Sequence, residues 1–487
     1  MTRRTRVAVG VATAGLLLGI WADVLFHSQP LGANVLLFAA SFVTALTFLL
    51  RIADAPLHQG RRWMLAPLLV FAAAFLWHDS VLLTAANLLA LAGAFVLGAL
   101  RRTSHGIHRA DMTDYAAGVA AAGGSAAAGA IHLLHKDVDW EEVGHAARTD
   151  RVAVLARGVG LGIPLVILFG GLFMGADAVF KDLVTSAVPS LQNPLAHLFL
   201  IVVAAWLATG LLRDLLAGRD EERLLSPSAL AARRFGERLG PTEVGIALLG
   251  LNALFVAFVL VQLRYLFGGR DLVESRAHLT YAQYARHGFF ELLAVSALVL
   301  VVLLLADALV ERRGKLVPLL SAGLVALVFV VIASALQRMR LYEQAYGLTE
   351  LRFYAVGVIV WLAVVFVWFC VTVLRGRRDV FAAGAVVAGF IATAALNVVN
   401  PDAVIARTNL DRPRVDAAYV AGLSDDAVPT LLARLPSLRP DLRKAIATEL
   451  LRRRVQRGDW RSFNVGRSRA AGLLARHHRE LVRYAVK

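Results

Sequence analysis

LVPLLSAGLVALVFVVIASALQ, residues 316–337, contains 22 consecutive residues without Asp, Glu, Lys or Arg. A helix of about 20 apolar residues crosses the ~30 Å hydrocarbon core of a bilayer, and one that is apolar on every side is buried in lipid or in a large core. Working outward, the same pattern recurs at 31–50, 80–100, 244–263, 353–374 and 380–401, each free of those four residue types. Five further runs are nearly as clean: 7–26, which contains Asp23; 63–77; 158–176; 194–212, with His197; and 288–310, with Glu291 and Asp307 near its ends. Together they predict eleven spans. The fold expected is all-α, a polytopic transmembrane helix bundle of about eleven spans with a small helical C-terminal domain.

The composition leads to the same class. Apolar residues make up 58% of the chain and the 39 glycines lift that to about 66%, against ~45–50% in a globular protein. Charged residues are 18% and cluster between the apolar runs, which excludes a soluble enzyme and a disordered chain. The single cysteine, Cys370, falls inside an apolar run, so neither a disulfide framework nor a zinc ribbon is available. The short run 63–77 pairs with the next one through a polar turn, His78, Asp79 and Ser80. Residues 116–131 are uncharged but almost entirely Ala and Gly; these gain little from lipid, so a soluble or interfacial helix is expected there. The first run follows Arg3, Arg4 and Arg6 and continues through Trp21 without a small-residue cleavage site, which reads as an uncleaved anchor.

With the N-terminus inside, the cytoplasmic segments carry 25 of the 33 Lys and Arg that precede residue 402. The positive-inside rule favours that orientation. Four regions are expected: a four-span membrane region at 1–100, a cytoplasmic insert at 101–157, a seven-span membrane core at 158–401, and a soluble basic helical domain at 402–487 on the outer side. The last of these holds 18 Lys and Arg against nine Asp and Glu. In it Ser424 is set to cap a helix running to Leu435, Pro440 to open another, Gly458 to stop it, and a last helix follows Asn464.

Walker, dinucleotide, His-Glu-x-x-His and nucleophile-elbow signatures are missing, and no metal or cofactor is called for. His132 and His135 share a helix face but lack a third ligand, so a solvated pair is expected. Gly158 with Gly162, and Gly171 with Gly175, have the spacing of closely packed membrane helices. At the span centres the main polar residues are Asn87, Asn252, Ser296 and Ser321, each within reach of a neighbouring helix. Asp23, Asp177, His197, Glu291 and Asp307 lie nearer the ends. The polar load sits in three segments expected on the outer side. The first, 264–291, includes Arg276, Tyr281, Tyr284, Arg286 and Glu291. In the second, 338–354, Gly347 ends one helix and Thr349 caps the next, amid Arg340, Tyr342, Glu343, Tyr346, Glu350 and Arg352. A third begins at Asn400, Pro401 and Asp402 and runs through Arg407 to Asn409. Arg offers a planar fork for phosphate and Tyr an amphipathic wall; the same mixture also describes an aromatic belt whose ion pairs pin loops to helix ends. The three segments are expected to converge into one polar cluster.

GADAVF at 175–180, YAQYARHGFFELL at 281–293, RMRLYEQAYGLTELRFY at 338–354, NPDAVIARTN at 400–409 and WRSFNVGRSRA at 460–470 resemble a family of bacterial multi-pass membrane proteins catalogued as a domain of unknown function, the 4153/4173 group. The resemblance runs from about residue 158 into the tail and implies the bacterial inner membrane; it supplies no mechanism. Three functions are carried forward. The leading one is binding or sensing of an anionic envelope component, a lipid headgroup or a glycan phosphate, at the outer Arg/Tyr/Glu cluster. A transporter would run its path along Glu291, Glu350 and Asn252. An outer-leaflet transferase would use Glu291 or Glu343 as general base. The partners expected are the bilayer and an anionic lipid or envelope glycan, with no nucleic acid; whether the protein is an enzyme, and its oligomeric state, are left open.

Overall fold

A computed structural model describes residues 2–54, 59–99, 112–147, 192–217, 240–267, 289–310, 314–453 and 458–486, together with positions 158, 162, 166, 169, 170, 173, 177 and 180. The fold is all-α. Among the described residues nine helices are long and apolar enough to cross a membrane, and a shorter apolar helix, Trp63–Ala74, accompanies them. The eleventh expected span, 158–176, falls where only isolated positions are described.

The N-terminal group consists of α1 (Arg3–Phe26), α2 (Ala33–Ile52), α3 (Gln59–Ala74), α4 (Val81–Ala99), α5 (Met112–His132), α6 (Trp140–Ala147) and α7 (Gln192–Ala217). Leu18, Phe42, Leu46, Met64, Ala94 and Leu212 close its core. The most extensive helix pairing is α1 against α7. It runs along two ridges of residues four apart, Gly15 and Gly19 on one side and Ile201, Ala205 and Thr209 on the other. A Cβ on Gly19 would stand 2.4 Å from the Ile201 carbonyl oxygen and 2.6 Å from the Ala205 Cβ, so the missing side chain is what lets the backbones approach. The small-residue helix α5, expected as soluble or interfacial, packs on α7 as well, where a Cβ on Gly129 would meet the Gly210 Cα at 2.7 Å.

A second group, α8 (Pro241–Phe267), α9 (Phe289–Leu309), α10 (Leu316–Tyr346), α11 (Glu350–Val371) and α12 (Phe381–Val399), closes around Leu303, Leu324, Val328, Ile359, Phe366 and Phe369. Of the mid-depth polar residues, Asn252 and Asn87 reach a neighbouring helix as expected, whereas Ser296 bonds within its own. Asn252 donates to the Leu320 carbonyl on α10 at 3.0 Å. Ser296 donates to Leu292 in its own helix at 2.8 Å. Asn87 on α4 and Asn397 on α12 exchange reciprocal amide bonds of 3.1 and 2.8 Å, which ties the two groups together.

The tail holds α13 (Pro401–Leu410), α14 (Ala417–Gly422), α15 (Val428–Arg434), α16 (Pro440–Arg452) and α17 (Val465–Val486). Pro440 occupies the first turn of its helix and Asn464 caps the last one, accepting from the Arg467 amide at 3.0 Å. Ser424 precedes a short turn at Asp425–Ala427 and makes no capping bond. A core of Ile405, Val420, Leu431, Ile446, Leu450 and Leu481 also takes in Leu348 from the loop between α10 and α11. The tail is clamped to the N-terminal group by backbone bonds: Val465 N–H to Leu76 C=O at 2.7 Å, Gly466 N–H to Trp77 C=O at 3.2 Å, and Ala33 N–H to Phe463 C=O at 2.9 Å. Asn464 donates to the Phe75 and His78 carbonyls, both at 2.8 Å.

The start of α1 meets Asp137 through Arg4 at 3.1 Å. Its far end meets Arg461, which donates to the Val24 carbonyl. A helix of 24 residues is about 36 Å long. The N-terminus and the tail therefore sit at opposite ends of the bundle.

Candidate functional site

Helix α10 has 31 residues, about 46 Å at 1.5 Å per residue against a hydrocarbon core of ~30 Å. Its last turns therefore carry Arg338, Arg340, Tyr342, Glu343 and Tyr346 out toward the tail. It stops at Gly347, whose φ of +86° suits glycine and whose amide donates to Glu343 C=O at 2.8 Å. Thr349 then caps α11, accepting from the Arg352 amide. Both stop and cap follow the sequence expectation.

The tail holds this corner in place. Arg412 donates to the Glu343 carbonyl, which the Gly347 amide also reaches, at 2.7 Å, and to the Gln344 carbonyl, an acceptor that the helix end leaves open, at 2.5 Å. The Asn409 amide brackets Leu348, accepting from its N–H at 2.9 Å and donating to its C=O at 2.7 Å. Tyr419 accepts from the Glu350 amide at 2.9 Å. The Arg352 guanidinium lies 4.0 Å over the Tyr342 ring and donates to the Gly347 carbonyl. Tyr342 and Tyr346 meet edge to face with ring centres 5.2 Å apart.

Beneath the corner a groove of about 710 Å³ runs between α10, α11 and α12. Arg340 and Glu343 stand at its polar mouth, Phe353, Trp361 and Leu396 along its walls, and Val364 and Ala388 at its floor. From Phe353 to Val364 the helix descends about 16 Å, the depth of one leaflet of a ~30 Å core. Arg340 is exposed and Glu343 half-buried.

Behind the corner lies a second polar group. Asp402, in the first turn of α13 after the Asn400 cap, is fully buried. Its Oδ2 accepts from the Ser424 amide at 3.3 Å; its Oδ1 has no hydrogen bond, nor do the buried hydroxyls of Ser80, Tyr354 and Ser424. Glu350 faces the same carboxyl. Next to it Asp426 accepts from the Asp79 amide at 2.8 Å and stands 3.4 Å from His78 Nδ1, out of hydrogen-bond alignment. His78 Nε2 lies 2.7 Å from the Asn397 carbonyl. Arg467 pairs with Asp79 at 2.8 Å and Arg453 with Asp425 at 2.8 Å. Burial pushes the Asp79 carboxyl up to about 6, helped by Asp425 and Asp426 and opposed by Arg467. Burial raises Asp402 and Asp425 as well. Burial pulls His78 down, but Asp426, the Asn397 carbonyl and Asp402 outweigh it and leave the imidazole raised.

Of the three segments expected to converge, the second and third meet, through Asn409, Glu350 and Asp402. Arg276, Tyr281, Tyr284 and Arg286 lie outside the described residues. Glu291 is exposed in the first turn of α9. The sequence reading overlooked Arg412, Tyr419, Asp425, Asp426 and Arg467. Arg412 and Tyr419 follow the third segment by three and ten residues, and Arg467 belongs to the WRSFNVGRSRA stretch, so nearness to those motifs was the usable signal.

A family described as Domain of unknown function (DUF4153) matches residues 65–433. No curated protein and no solved structure matches the chain.

Proposed function

The chain belongs to the DUF4153 family and is a multi-pass membrane protein, and from that premise we propose that it binds an anionic amphiphile in the outer leaflet. The acyl chain lies in the groove between α10, α11 and α12, and the anionic headgroup, a lipid phosphate or a lipid-linked glycan phosphate, lies against Arg340. Tyr342 and Tyr346 stand above the mouth as the amphipathic wall. The observation that carries the reading is the match of polarity to depth: an apolar slot one leaflet deep has its charged residues only at the end nearest the tail. In this reading the N-terminal end is cytoplasmic and the tail extracytoplasmic, in the bacterial inner membrane, because 25 of the 33 Lys and Arg that precede residue 402 fall in the segments expected on the N-terminal side.

Native mass spectrometry of the detergent-purified protein tests it. The wild type should retain an anionic lipid. Arg340→Ala should lose the adduct through the headgroup, and Gly357→Leu should lose it by filling the slot. Equal adducts in all three proteins would sink the proposal. Glu343 at the groove mouth supports a second reading, an outer-leaflet transferase with that carboxylate as general base, which requires it within ~3 Å of a bound hydroxyl. Under that reading Glu343→Gln abolishes turnover of the bound lipid while leaving binding intact.

A further inference from the structure

The seam between α1 and α7 does not stop at its glycines. Continuing the four-residue ridge from Gly15 and Gly19 along α1 brings up Asp23 and then His27; on α7 the ridge of Thr209, Ala205 and Ile201 continues to His197. At the end of the bundle nearest the tail these three side chains meet. Asp23 Oδ2 lies 2.7 Å and Oδ1 2.9 Å from His197 Nδ1, and His27 Nδ1 lies 3.6 Å from Oδ1. One ligand atom from each residue falls within 4.8 Å of the other two.

We propose that Asp23, His27 and His197 form a binding site for a divalent transition-metal ion of the zinc class, reached from the face on which the tail sits. Two imidazoles and one carboxylate suit zinc, cobalt or nickel, whereas magnesium and calcium take oxygen donors. Ligand atoms held at ~2.0–2.1 Å by one tetrahedral ion stand about 3.3 Å apart; the two separations between Asp23 and the imidazoles, 2.7 and 3.6 Å, bracket that spacing, and the imidazole pair lies within 4.8 Å. The frame is rigid where a site needs it, since the ligands extend the most extensive helix pairing described in the N-terminal group. Arg461, which donates to the Val24 carbonyl beside Asp23, is paired with Asp459 at 2.7 Å, which offsets its repulsion toward a cation. The imidazole rings are stacked, with centres 3.6 Å apart and 17° between their planes. An ion lies in the plane of both only if one ring turns about its Cβ–Cγ bond. The His197 side chain, 43% exposed, has the room to do so. Three protein ligands leave a coordination position open to water or an outside ligand.

The test uses the full-length protein in detergent, stripped with chelator and dialysed against zinc or cobalt. Wild type should retain roughly one equivalent more zinc than Asp23→Asn or His197→Gln, the difference cancelling weak binding by the tail histidines His477 and His478. Cobalt should give a low-symmetry visible spectrum that both variants lose, and zinc should raise the melting temperature of the wild type alone. Should His197→Gln fold poorly, His27→Gln carries the same comparison. Equal zinc content in wild type and variants, or a wild type whose cobalt spectrum is that of the aqueous ion, identifies a plain carboxylate–imidazole pair and overturns the proposal.

Discussion

Arg467, 7% exposed, donates to the Leu31 carbonyl at 2.5 Å, to the Ser462 carbonyl at 2.8 Å and to Asp79 at 2.8 Å. One guanidinium thus satisfies acceptors from the tail and from two loops of the N-terminal group. Removing it strands a half-buried carboxylate and buried carbonyls, so Arg467→Ala should cost about 3–5 kcal/mol, read as a lower detergent melting temperature and faster proteolysis of the tail. Arg467→Lys should restore little, because an ammonium cannot reproduce the fork. The same cluster sets a pH dependence. Asp79, pushed up to about 6, holds its proton more tightly folded than unfolded, where a carboxyl titrates near 3.9. Its contribution is therefore complete at low pH and lost as pH rises through about 6. The raised Asp402, Asp425 and His78 act in the same sense. Relative to wild type, Asp79→Asn should gain stability between pH 4 and 7, by at most about 3 kcal/mol; a gap between the two proteins that is flat in pH would refute it. Asp79 was visible in the sequence only as part of a polar turn. Its partners are 347 and 388 positions away, a distance that no local pattern encodes.

Among elements, the apolar helices were legible because a lipid environment asks only for length and uniform apolarity, which a run of residues displays directly. Pairing was not. Gly15 and Gly19 look like ordinary glycines of a membrane helix, and their significance appears only with the Ile201, Ala205 and Thr209 ridge opposite. Of the glycines that share that spacing, Gly171 and Gly175 lie outside the described residues, and for Gly158 and Gly162 a Cβ would meet nothing within 4 Å. Gly19→Leu should drive α1 from α7 and destabilise by about 1–3 kcal/mol, seen as a lower melting temperature and a loss of monodisperse protein. Gly158→Leu, with open space around it, should leave both unchanged. The stop at Gly347 and cap at Thr349 were readable because capping is local chemistry. That Arg412 and Asn409 would hold that corner was not, since a tail folded back on the membrane leaves no periodic trace.

For the whole molecule, an odd span count puts the N-terminus and the tail at opposite ends, and the contacts of α1 set them apart; the loop charges bear only on which end faces the cytoplasm. In a Cys370→Ser background, Ser437→Cys in the tail should react with a membrane-impermeant maleimide in intact cells, and Glu141→Cys on α6 only after permeabilisation. The reverse pattern would invert the orientation. The groove and the buried acid cluster, by contrast, come from helices brought together across the chain, and only the Arg340 and Glu343 end of the groove was readable in advance. The clamp at Val465 and Gly466 also has a consequence in time. The carbonyls of Phe75, Leu76, Trp77 and His78 emerge well before Asn464, which lies 389 positions beyond Phe75. At ~5–20 residues per second that interval is roughly 20–80 s, during which the rim of the early helices keeps its acceptors uncapped. A ribosome that stalls before Trp460 leaves spans already inserted with that rim still open, and the rim closes only once Asn464, Val465 and Gly466 have been made.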